Sequence, residues 1–79
     1  MEYERIQVTC RRGYKVNEYP LSFEFRKSRW EIMEILDRWY EGGREPERPV
    51  MDYYKVKTRQ GSIFILIYAA HLDEWFIRY

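Results

Sequence analysis

Three observations in this 79-residue chain predict a mainly β domain: an antiparallel meander of five or six strands, curled into a small roll or open barrel. Short segments alternate apolar and polar residues with the period of a half-buried strand. Glycine, proline and short charged clusters separate them at turn-like intervals. The run Ile63-Phe64-Ile65-Leu66-Ile67-Tyr68 is apolar at every position, so that strand has a second face to cover.

Residues 3 to 10 form the first strand, with Ile6, Val8 and Cys10 on one face and Arg5, Gln7 and Thr9 on the other. Arg11 to Pro20 carries Gly13, Asn17 and Pro20 among charges and reads as an irregular connection, with Pro20 holding Tyr19 extended. Leu21, Phe23 and Phe25 then alternate with Ser22, Glu24 and Arg26 as a second strand, followed by a hairpin turn at Lys27-Ser28.

Arg29 to Tyr40 fits two descriptions. Ile32, Leu36 and Trp39 make a helical stripe, whereas Trp30 and Ile32 begin as a strand whose apolar phase then jumps to the odd positions Ile35 and Trp39. A bulge near Met33-Glu34 explains that jump and favours a strand. The alternative is an α+β fold with a helix at about residues 31–40, capped by Ser28. Glu41 to Pro49, with two glycines, two prolines and five charges, is a surface loop.

Val50 to Thr58 resumes alternation, and Arg59-Gln60-Gly61 reads as a three-residue hairpin loop with Gly61 in the left-handed position. Pairing Thr58 with Ser62 sets Val56 opposite Phe64 and Tyr54 opposite Leu66 on the core face. Tyr53, Lys55 and Lys57 then share the other face with Ile63, Ile65 and Ile67. A turn over Ala69 to Asp73 leads to a last strand in which Trp75 and Ile77 alternate with Phe76 and Arg78. The whole is one small domain, 1–79, with the 41–49 loop on its surface.

Composition limits the function classes. Fourteen Lys plus Arg against thirteen Asp plus Glu leave a net charge of +1, so no global field draws the chain to nucleic acid or to an acidic membrane. Aromatics at 19% supply large buried area to a chain near the lower size limit for a single core. The lone Cys10 makes no internal disulfide, and no signal-like or membrane-spanning apolar stretch is present, which predicts a cytoplasmic protein without a membrane partner.

No constellation for catalysis stands out, and an enzyme is not expected. His71 is the only histidine, and His-Leu-Asp-Glu is not a ligand spacing, so neither metal nor cofactor is predicted. Cys10 continues the buried face of the first strand and reads as a small core residue. Glu24, Glu31 and Glu34 sit among Arg26, Arg29 and Arg38 as expected for cross-strand ion pairs.

The candidate function therefore lies in a surface. Tyr53, Ile63, Ile65 and Ile67 form a candidate interface for self-association or a protein partner, since contiguous apolar patches mark interaction sites. The second candidate is single-stranded nucleic-acid binding through Arg26, Arg29, Tyr53, Lys55, Lys57 and Arg59, in which a ring stacks on bases and cations meet phosphates.

The order of Gly13-Tyr14, Glu18-Tyr19-Pro20, Phe23 and Phe25 before a basic turn, Glu34-Ile35-Leu36-Asp37-Arg38-Trp39, Tyr54-Lys55-Val56, Gly61, Phe64-Ile65-Leu66 and Trp75 spans nearly the whole chain. It resembles a small bacterial family of domains of unknown function, some of whose members are attached to, or encoded near, Y-family translesion DNA polymerases. Lys27, where that family often has Gly, and Ile65 and Ile67, where it tends to be polar, depart from its pattern. The resemblance implies no reaction and no site residues; its association points to a nucleic-acid-repair context.

Overall fold

The computed structural model describes residues 2–11, 19–43, 47 and 49–79. The described residues form β1 (Tyr3–Arg11), β2 (Tyr19–Phe25), β3 (Ser28–Glu41), β4 (Met51–Thr58), β5 (Ile63–Ala69) and β6 (Glu74–Arg78). All neighbours are antiparallel, and β1 pairs with β6, so the expected curl closes completely into a six-stranded barrel in sequence order.

Closure depends on two strands that change partners. β1 pairs with β6 over Tyr3–Ile6 and with β2 from Gln7 onward. β3 pairs with β2 over Ser28–Glu31 and with β4 from Ile32 onward. The first register shift in β3 falls between Ile32 and Glu34, at that handover, as corners made by bulges require.

The helical alternative for 31–40 is excluded, because the segment is strand throughout. Its helix-like spacing has a definite origin. Met33 and Leu36 are both extra residues in bulges against β4, so inward positions fall three apart, at Ile32 and Ile35, instead of two. The predicted bulge is present, and the second one, at Leu36, was not anticipated.

Two smaller corrections follow from register. The β2–β3 turn is Arg26-Lys27, not Lys27-Ser28, because Phe25 pairs with Ser28. Leu21 does not continue the inner face of Phe23 and Phe25. Thr9 pairs with Ser22 and Cys10 with Pro20, which leaves Leu21 unpaired at a bulge and exposed. Most of the connection at 11–20 and part of the loop at 41–49 lie outside the described residues.

The β4–β5 hairpin is as predicted. Thr58 N–H donates to Ser62 C=O at 2.9 Å, Gly61 N–H donates to Thr58 C=O at 2.9 Å, and Gly61 has φ of 90°. The buried Thr58 hydroxyl also accepts from Ser62 N–H at 3.2 Å, which ties the loop to its strand. Val56 opposes Phe64 and Tyr54 opposes Leu66.

The core fills the barrel. Ile6, Phe23, Phe25, Tyr54, Val56, Leu66, Trp75 and Ile77 form its buried cluster, and each aliphatic or aromatic side chain fully buried contributes about 1.5–3 kcal/mol. Phe64 meets Phe23, Phe25 and Trp30 edge-on, with ring centres 5.7, 5.8 and 5.2 Å away. Towards the other end Trp75 packs on Tyr54 and Tyr68 at 5.5 and 4.9 Å. The Trp30 indole, half-buried, donates to Phe25 C=O at 3.1 Å, so this polar handle is satisfied.

Candidate functional site: the outer face of β3 to β6

Because β5 is apolar on both sides, the wall that faces away from the core carries a second apolar layer. Register aligns Trp39, Tyr53, Ile67, Phe76 and Arg5 in one cross-strand row. The adjacent row is Asp37, Lys55, Ile65, Arg78 and Tyr3, and beyond it Glu34, Lys57 and Ile63.

The three isoleucines differ in environment. Ile67 is 4% exposed although it lies outside the core cluster, and its cross-strand neighbours are Tyr53 and Phe76. Ile65 is half-buried. Ile63 is 53% exposed and is the open end of the patch. The sheet thus covers its own surplus at one end of β5 and leaves it bare at the other.

Tyr53 is built into this layer. Its ring stacks on Trp39, with centres 5.3 Å apart and planes 16° from parallel, and the Trp39 indole donates to Glu41 Oε2 at 2.8 Å. Burial, then Glu41 and Tyr3, push the Tyr53 pKa above its ordinary value, with Arg78 acting against them. One face of the ring is occupied by Trp39 and so is withdrawn from any stacking base.

The bulges of β3 also arrange charge. They bring Glu34 opposite Lys57 and Asp37 opposite Lys55, while Glu31 accepts an ion pair from Arg59 at 3.0 Å. Glu31, Glu34 and Asp37 thereby match cations spaced two apart on β4 and its turn. Arg29 stands opposite Glu24 on β2. Arg26 lies elsewhere, in the β2–β3 turn, with its guanidinium 4.9 Å from the ring centres of both Phe25 and Tyr79. The six nucleic-acid candidates therefore do not form one surface, and four of their cations already face carboxylates.

Trp39 and Phe76 belong to the apolar layer and were not among the predicted interface residues. Phe76 had a visible signal, because Trp75-Phe76-Ile77 is apolar at three successive positions, as β5 is. Trp39 had none, since its face depends on the second bulge.

The remaining reactive groups stand apart. His71 is exposed in the turn between β5 and β6. The Cys10 thiol is half-buried, with its pKa raised first by burial and then by Asp73, which keeps it protonated and a poor nucleophile. Among the described residues no three His, Cys, Asp or Glu side chains are grouped to hold a metal ion. Nor do they form a helix long and apolar enough to cross a membrane.

Fold and face together define a small closed antiparallel barrel with a partly bare apolar layer on its outside. Comparison of the chain with family models, with curated proteins and with solved structures returned no match.

Proposed function

We propose that the protein is a non-enzymatic interaction domain of the cytoplasm that pairs with a second copy of itself through the outer face of β3 to β6. The observation that carries this reading is the apolar layer that ends at the bare Ile63. A two-fold interface must be complementary to itself. On this face Glu34, Asp37, Glu41 and Glu74 are balanced by Lys55, Lys57, Arg78 and Arg5, and Arg5 bonds Glu74 at 3.2 Å. A neutral face of interleaved signs suits its own copy better than a partner of one strong charge.

Sedimentation equilibrium tests the reading. The native chain is expected to dimerise with concentration, and Ile63→Lys to remain monomeric with the melting temperature that the native chain has when dilute and monomeric. A native chain that is monomeric at every concentration overturns it. If Ile65→Lys unfolds while Ile63→Lys folds, the interface is confined to the Ile63 end.

The single-stranded nucleic-acid reading, which the translesion-polymerase resemblance favours, draws little support from this face. Lys55 and Lys57 stand opposite Asp37 and Glu34, and the Tyr53 ring is stacked.

A further inference from the structure

A different part of the barrel, which shares only Arg5 with the outer face, gathers a second set of cations. Beyond Gln7↔Glu24, β1 turns away to β6, and the end of the β2–β3 hairpin stands free of it. The separation opens a groove of about 550 Å³. Its walls carry Arg5, Arg26, Lys27 and Arg29 against Glu4 and Glu24.

Two of these cations sit where the backbone does not favour them. Arg26 and Lys27 are the central residues of a two-residue hairpin, with φ of 52° and 62°. Positive φ at both positions is the type I′ arrangement, for which Asn-Gly is the natural pair and side chains with a Cβ are strained. Adjacent strained residues that are both basic, at the rim of a groove with more cations than carboxylates, place charge there at the expense of turn geometry. Arg26 is also held in place, its guanidinium lying against Phe25 and Tyr79, so little side-chain freedom remains for a ligand to remove.

We propose that this groove binds the phosphate group of an anionic ligand, with Arg26, Lys27 and Arg29 as the donors and Arg5, tied to Glu74, as a wall. Guanidinium and ammonium donors at the mouth of an open groove match the several acceptor oxygens of a phosphate.

Backbone amide resonances of the full chain, titrated at low salt with pyrophosphate and separately with a short oligothymidylate, test the proposal. Saturable shifts centred on Arg26 to Arg29 are expected. Shifts with pyrophosphate identify a free phosphate group as sufficient; shifts with the oligonucleotide alone identify a nucleic-acid backbone, and these fall steeply with salt. Lys27→Gly relaxes the turn, so it is expected to melt higher while binding about tenfold more weakly, and Arg29→Gln to weaken binding similarly. The proposal is overturned if neither probe moves these resonances, or if Lys27→Gly binds as tightly as the native chain.

Discussion

Leu66 and Ile67 are adjacent in β5 and almost equally sealed from solvent, at 0% and 4% exposure, yet different things seal them. Leu66 is enclosed by the barrel, on which every strand converges. Ile67 lies in the outer row between Tyr53 and Phe76, where the sheet covers itself. Towards the start of the strand this contrast changes: the inward Phe64, two residues before Leu66, remains packed on three rings, while the outward Ile63, four residues before Ile67, is bare. Inward burial is a property of the closed barrel; outward burial depends on which cross-strand neighbours happen to be large.

The strongest way to break the distinction is to remove one bulge. Deleting Met33 leaves Ile32 and Ile35 two apart and both still inward against β4, but it removes the corner at which β3 passes from β2 to β4. Loss of the cooperative folded state by near-ultraviolet circular dichroism is expected. Retention of the native spectrum would show that the barrel closes without that bulge.

Truncations along β5 separate the two kinds of burial. Leu66→Ala is expected to cost about 3–5 kcal/mol in urea denaturation, as cavities in closed cores do. Ile67→Ala should cost about 2 kcal/mol, because its neighbours can relax into solvent. Ile63→Ala should stay within about 0.5 kcal/mol at concentrations where the chain is monomeric. Equal costs for Leu66 and Ile67 would mean that the outer layer is as tightly packed as the core.

The smallest effect concerns pH. Cys10 is raised above its ordinary 9.0 and Tyr54 above 10.0, burial being the main cause in each. Asp73 adds to the first; for Tyr54, Arg38 opposes the rise and Asp52, Tyr40 and Cys10 support it. The unfolded chain therefore releases these protons first, so their contribution to stability is level below about pH 8 and declines as pH rises through the ordinary values. Tyr54→Phe should flatten the decline in melting temperature between about pH 8 and about pH 10.5. An unchanged slope would assign the alkaline loss to other groups.

Much of the fold was legible because strands announce themselves locally. The alternation at Ile6, Val8 and Cys10, the Thr58–Ser62 loop with Gly61, and the resulting register of Val56 and Leu66 all follow from residues within one hairpin or one strand. Segment 31–40 was harder, since a bulged strand and a helix both place apolar residues three or four apart. The Arg26-Lys27 turn was misplaced by one residue because neither residue is one that a positive φ selects. Leu21 was assigned inward for want of any local sign of its bulge.

The candidate sites divide along the same line. That Ile63, Ile65 and Ile67 are surplus to the core was evident from an all-apolar strand with period-two geometry. Which of them remains bare depended on Tyr53, Trp39 and Phe76, brought beside them from β4, β3 and β6. The pairing of Lys55 and Lys57 with Asp37 and Glu34, and the groove beside Arg26 and Lys27, likewise needed the bulges and the handover of β1 from β2 to β6. By itself the sequence determined a mainly β meander of five or six strands, the β4–β5 register and an excess of apolar surface, because those are set by short-range periodicity and turn chemistry. Closure of the barrel, the covering of the excess and the neighbours of each charge were decided only in three dimensions, because they depend on strands distant in sequence being held at a common register.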